Sequence, residues 1–184
     1  MATATTMSGA AFDQLPYEKG RHLELLLGEM IEVTSATPEH QSIVLALGSS
    51  LYQYLQRQPY GGALPDVEFA LGEDIRLRPD LAILLGERWT SINWKKIPVP
   101  VAPNIAVEVV SPSERVTDSL RKIKTYLGAG VQEVWQVSAE TQEILIYGSP
   151  KSIHALDIGD NLSTPLLPGW QISVREIFGA KQQI

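Results

Sequence analysis

The sequence contains no cysteine, which excludes a disulfide framework, a thiolate metal site and a cysteine nucleophile. Any metal ion must therefore be held by oxygen or imidazole. The chain also lacks any uncharged apolar run of roughly 18 residues, so it offers no transmembrane helix. Positive charge is scarce: a formal net charge of -6 argues against a protein that coats nucleic acid without specificity, because such binders displace counterions with a basic surface. Only a local basic groove stays open, and its candidates are Arg76, Arg78, Lys95, Lys96, Arg115, Arg121, Lys122 and Lys124. The opening Met1 to Ala10 has neither a basic cluster nor a long apolar core, so it reads as a loose tail rather than a signal or transit peptide. Residues 11–184 show no repeat or linker, and 44% hydrophobic residues suffice for one substantial core, so the expectation is a single cytoplasmic domain.

Two strand-like apolar runs are present, Arg78 to Leu85 and Ile105 to Val110, and each carries one carboxylate, Asp80 and Glu108. An ionised carboxylate inside a buried sheet is costly unless a cation or a full set of hydrogen bonds compensates it. Glu108 shares its strand face with Ala106 and Val110, which makes solvent a poor partner. A divalent cation is the leading candidate.

Along the chain, His22 to Leu27 and Met30 to Val33 flank Gly28-Glu29, which predicts a hairpin with a type II′ turn. Thr37 can cap a helix that has Pro38 at its first position, with Val44, Leu47, Leu51 and Leu55 as its apolar face and Gln56 near its end. Ala63 to Leu71 reads as one strand interrupted at Asp66 and Glu68, and Glu87 to Pro103 as a long loop rich in tryptophan and proline. After Ser111-Pro112-Ser113 a second helix is predicted with Val116, Leu120, Ile123 and Leu127 facing inward. Strands at Glu133–Val137 and Glu143–Tyr147, further short strands, and Val174 to Phe178 follow. The order predicts a mixed α/β domain with one central sheet, an N-terminal hairpin and additional C-terminal strands.

Hydrolysis of a phosphodiester needs an activated water and neutralisation of developing phosphate charge, and carboxylate-held Mg²⁺ provides both. Oxygen ligands favour Mg²⁺, with Mn²⁺ as a substitute, and one or two carboxylates suffice because Mg²⁺ retains waters. Asp80 and Glu108 fit that role if their strands are neighbours. A cation from the following helix would complete the set, and spacing alone does not choose between Lys122 and Lys124, since Asp118, Lys122 and Tyr126 form one stripe and Lys124 flanks the other side.

Arg78-Pro79-Asp80, Val107-Glu108-Val109-Val110-Ser111-Pro112-Ser113, Asp118 with Lys122 and Tyr126, and Gly130 to Trp135 occur in an order that resembles the putative restriction endonuclease family of the PD-(D/E)XK nuclease superfamily. Leu23-Glu24-Leu25 with Gly28-Glu29, Glu39-His40-Gln41 and Leu167-Pro168-Gly169 extend the likeness over nearly the whole chain after the tail. The resemblance implies a restriction-endonuclease-like core, a central mixed sheet flanked by helices, in which Asp80, Glu108 and the backbone carbonyl of Val109 hold Mg²⁺. Val110 stands where the superfamily usually has its lysine, and the resemblance moves that lysine to the next helix, at Lys122. Trp135 replaces the tyrosine more usual after Val134.

Each residue also has a plainer reading. Asp80 alone would be a strand-end aspartate after proline, Lys122 an exposed helix lysine paired with Asp118, and Tyr126 a core residue whose hydroxyl supports the site. His40 falls on the inward face of the first helix, where a lone histidine is usually hydrogen-bonded core, and Glu24 interrupts a leucine-rich strand; both are accessory candidates. The sequence thus predicts a metal-dependent endonuclease acting on DNA, without organic cofactor or membrane partner, and expected as a homodimer because cutting two strands benefits from two sites. A catalytically weak or inactive nucleic-acid-binding domain on the same scaffold is the alternative, and a purely structural carboxylate network is a third.

Overall fold

Thr37 and Pro38 begin the longest helix as their chemistry requires: the Thr37 hydroxyl accepts a hydrogen bond from the His40 amide at 3.2 Å, and proline needs no amide partner at the first helical position. The computed structural model describes residues 6–16, 18–33, 35–58, 60–111, 114–149 and 151–179. In chain order the elements are α1 (Gly9–Phe12), β1 (His22–Leu26), β2 (Glu29–Val33), α2 (Pro38–Arg57), β3 (Gly61–Pro65), β4 (Phe69–Gly72), β5 (Ile75–Leu77) and β6 (Leu81–Leu85). Then come α3 (Glu87–Thr90), β7 (Ile105–Val110), α4 (Val116–Gly128), β8 (Glu133–Ser138), β9 (Glu143–Ser149), β10 (Ser152–Leu156), β11 (Asn161–Ser163), β12 (Gln171–Ser173) and α5 (Val174–Phe178).

A six-stranded sheet in the order β10-β9-β8-β7-β6-β3 forms the centre. Its one parallel pair among the described strands, β7 and β8, is joined by α4; the other neighbours are antiparallel. Parallel neighbours need such a crossover, whereas antiparallel ones can be joined by short turns. Leu47, Leu51 and Leu55 of α2 pack on one face with Leu81, Ile83, Val107, Val109 and Trp135. Ile123 and Tyr126 of α4 cover the other face, with Ala106 and Val134.

The C-terminal segments close the α2 side. Leu162, Leu167, Trp170, Ile172, Val174 and Ile177 enter the same core as α2, Trp170 stacks on Trp135 at 5.7 Å, and its indole nitrogen donates to the Ser50 hydroxyl. Val174 to Phe178, expected among the strands, is the short helix α5.

A second sheet, β2-β1-β5-β4, carries the N-terminal hairpin. The hairpin was expected to turn on Gly28-Glu29 as type II′; it turns on Leu27-Gly28, both at positive φ (54° and 78°), as a type I′ turn requires. A leucine in that conformation is strained, and Asn-Gly is the favoured pair. Leu27→Asn is therefore expected to stabilise the fold by about 1 kcal/mol, measured as a rise in the urea midpoint.

The expected single strand Ala63 to Leu71 is divided. β3 is the edge of the central sheet and β4 belongs to the second sheet, with Asp66 at φ 53° between them. The tryptophan loop contains α3 and two buried anchors, Ile92 and Val99. Trp89 packs so closely on Gly62 that a Cβ there would overlap its ring, which makes Trp89 a packing element. Residues 7–10, expected in the loose tail, are docked: the Met7 and Gly9 amides donate to the carbonyls of Gly28 and Glu73, and Ser8 caps α1. Pro112 and Ser113, quoted in the family likeness, lie outside the described residues. Among the described residues no helix is long and apolar enough to cross a membrane.

Candidate active site

Antiparallel register brings the two carboxylates together. β6 pairs with β7 so that Leu81 faces Val107, which places Asp80, one residue before β6, beside Glu108. The Val109 amide donates to Asp80 Oδ2 at 2.7 Å, so the aspartate at the strand end takes the ladder hydrogen bond that a backbone carbonyl would otherwise accept. His40 reaches the same oxygen from α2, with Nε2 at 3.1 Å. Its pKa is raised, chiefly by the hydrogen bond to Asp80, against the opposing effect of burial.

Glu108 shares with Ala106 the strand face turned toward α4. There Lys122 Nζ lies 2.9 Å from Glu108 Oε2, and the Tyr126 hydroxyl donates to Oε1 at 2.6 Å. Residues four apart on a helix share a face, which is why Lys122 and Tyr126 reach one carboxylate together. Lys122 Nζ also lies 3.0 Å from Glu24 Oε2, and Glu24 Oε1 accepts from the Arg78 amide at 2.8 Å. Burial pushes the Glu108 carboxyl up to about 8; the Lys122 charge pulls it down, while Asp80 and Glu24 add to the rise. Burial would lower Lys122, but the carboxylates of Glu108 and Glu24 outweigh it and raise the ammonium's pKa. Tyr126 is raised well above the usual phenol value, first by burial and then by the Glu108 charge.

The inward face of α4 is half the expected one, with Ile123 buried and Leu127 packed against the same core. Val116 and Leu120 are exposed, and Ser119, Lys122, Ile123 and Tyr126 are buried. The polar stripe turns inward because each of its groups finds a partner: Gln136 donates to the Ser119 hydroxyl at 2.6 Å, and Lys122 and Tyr126 meet Glu108. Lys124 is exposed, so position alone now separates it from Lys122.

The basic groove that the sequence left open is not assembled from its candidates. Arg76 is buried against Asp13, Arg78 faces Asp66 and Glu68, and Arg121 pairs with Glu29 and Asp118. Lys95 and Lys96 follow α3, beyond the far end of β6 from Asp80. A cleft of about 1230 Å³ opens over the site, and of the eight candidates only Arg78, Arg115 and Lys122 line it. Glu32, Glu39, Asp66, Glu114, Asp118 and Glu140 line it as well, in addition to Glu24, Asp80 and Glu108. A polyanion could enter such a cleft only with cations to offset this charge.

Glu24, His40, Asp80, Glu108, Lys122 and Tyr126, all singled out from the sequence, converge here, and Val109, singled out for its carbonyl, joins them through its amide. Gln136 was missed: it faces Glu108 across the parallel β7/β8 pair and links Ser119 to the Tyr147 hydroxyl. Its signal was available, since it interrupts the apolar run Val134 to Val137 as Glu108 interrupts its own strand. Among the described residues no three His, Cys, Asp or Glu side chains are grouped to hold an ion. Asp80 and Glu108 are nonetheless adjacent oxygen donors, the kind Mg²⁺ takes when it uses one or two carboxylates and keeps waters for the rest of its shell.

A mixed sheet flanked by helices, with an acid at the mouth of one strand and another inside its neighbour, is a restriction-endonuclease-like core. The chain belongs to the Uma2 family, described as putative restriction endonucleases, whose profile matches residues 10–175. The crystal structure of a putative nuclease belonging to DUF820 from Anabaena variabilis ATCC 29413, at 1.96 Å resolution, is similar in fold, with a TM-score of 0.80. The two share 19% sequence identity, and the alignment covers 94% of this chain and 97% of that one. A search of curated proteins gives no match.

Proposed function

We propose that the protein is a metal-dependent endonuclease that hydrolyses DNA phosphodiester bonds in the cytoplasm, using Mg²⁺ with Mn²⁺ as a substitute and working as a homodimer. The observation that carries this reading is the Asp80–Glu108 pair across β6 and β7 with Lys122 on Glu108. Family membership and the fold shared with the putative nuclease from Anabaena variabilis support it.

Asp80, Glu108 and the Val109 carbonyl would hold the ion. When bound there, a divalent ion polarises a phosphoryl oxygen and lowers the pKa of attached water. Lys122 stays an ammonium through Glu108 and Glu24, so its role is to offset developing phosphate charge rather than to accept a proton. Tyr126 fixes the orientation of Glu108, and His40 that of Asp80.

Protein stripped with a chelator is expected to leave supercoiled plasmid intact and to nick or linearise it once Mg²⁺ or Mn²⁺ is restored. Undiminished cutting in excess chelator would overturn the metal dependence. Retention of DNA in a gel shift with no cleavage under any divalent ion would identify the binding domain instead.

A further inference from the structure

We propose that Glu24 is the positioning residue for Lys122, the anchor that would keep its ammonium at the site were Glu108 to share its charge with a divalent cation. The inference rests on the metal-dependent nuclease reading and deepens it. Lys122 Nζ is shared almost evenly, 2.9 Å from Glu108 Oε2 and 3.0 Å from Glu24 Oε2. An ion on Glu108 withdraws negative charge from the lysine and also repels it, because both are cations. Were Glu108 its only partner, the flexible lysine stem would swing out of the site.

Glu24 is built to prevent this. It is 3% exposed, and the Arg78 amide fixes Oε1, which leaves Oε2 aimed at Lys122. That oxygen is buried and has no hydrogen-bond partner, so its contact with the Lys122 ammonium is an ion pair and the charge of Lys122 is what compensates it. Tyr126 donates to the other oxygen of Glu108 and carries no charge, so it offers the ammonium nothing to replace the Glu24 carboxylate. The second sheet supplies this anchor: β1 and β5 pair with Leu25 opposite Arg76, which sets Glu24 beside the Arg78 amide and over α4.

The test is Glu24→Gln in the full chain, which keeps the carbonyl toward Arg78 but removes the charge. With lysine labelled at the ε carbon, the two ε protons of Lys122 are expected to be distinct in the wild-type protein with and without Mg²⁺, and to collapse to one averaged signal in the variant with Mg²⁺. Single-turnover cleavage is expected to fall about 10–100-fold while the KM for DNA and the calorimetric Mn²⁺ affinity stay within about threefold. In a Lys122→Met background, Glu24→Gln should cost no further activity, because the glutamate acts through the lysine.

An unchanged Lys122 signal in the variant, or additive losses in the double variant, would overturn the inference. So would a tenfold or greater loss of Mn²⁺ affinity, which would make Glu24 a ligand of the ion. The lysine signal needs neither DNA nor turnover. A wild-type protein that shows it but cuts nothing thus refutes the nuclease reading alone.

Discussion

Glu108→Gln is expected to abolish Mg²⁺-dependent plasmid cleavage while leaving the protein folded, and Asp80→Asn to do the same. Loss of a partner that only orients a metal ligand typically costs about 10–100-fold in affinity or activity, and loss of the ligand itself should exceed that range. The fold survives for a reason specific to this site. Burial raises the pKa of the Glu108 carboxyl, so a neutral amide of the same shape spares the protein the cost of burying that charge. The glutamine carbonyl can still accept from Tyr126 in the position of Oε1. Nicking rates at saturating Mg²⁺, beside urea unfolding of each variant, provide the check. A variant that retains a tenth or more of the wild-type rate with either carboxylate neutralised would sink the assignment.

Lys122→Met has the second large effect, on stability. The substitution removes one ammonium and leaves Glu24 and Glu108 facing each other in a buried site, and breaking a buried ion pair from one side costs about 3–5 kcal/mol. The loss should depend on pH in a definite direction. Because the folded-state pKa of Glu108 lies above its ordinary value of 4.5, the ion-free protein takes up a proton on folding, and stability falls as pH rises from that value through about 8. Lys122 lowers the Glu108 pKa, so its removal pushes the window upward and deepens the fall. The ammonium's own pKa is raised, so its contribution is complete at neutral pH and is lost only in strong alkali. Urea midpoints in chelator should therefore separate wild type from variant more at high pH than at pH 5. A separation that does not change with pH would mean that Lys122 and Glu108 are not coupled.

How much of this was legible in the sequence depended on what kind of contact each feature needed. Asp80 and Glu108 stood out because a charge inside an apolar run is anomalous whatever the fold, and the α2 cap was readable because Thr37 and His40 are three residues apart. The inward face of α4 was half misread because periodicity counts apolar side chains, and this helix buries polar ones whose partners lie on β7 and β8. The basic groove failed for a related reason: Arg76 and Asp13 are far apart in the chain, and only folding makes them neutralise each other. The division between β3 and β4 turns on Asp66 adopting a positive φ, which its side chain tolerates but does not dictate.

Trp170, Ile172, Val174 and Ile177 complete the wall that clamps α2, and this has a consequence for how the molecule is made. Domains are synthesised from the N-terminus, so Glu24, Asp80, Glu108 and Lys122 all emerge before that wall exists. A ribosome-bound chain lacking it carries all four of these side chains on a scaffold whose α2 underside is still open to water. The chemistry is translated early, and the clamp that makes it rigid arrives only when Ile177 has been added.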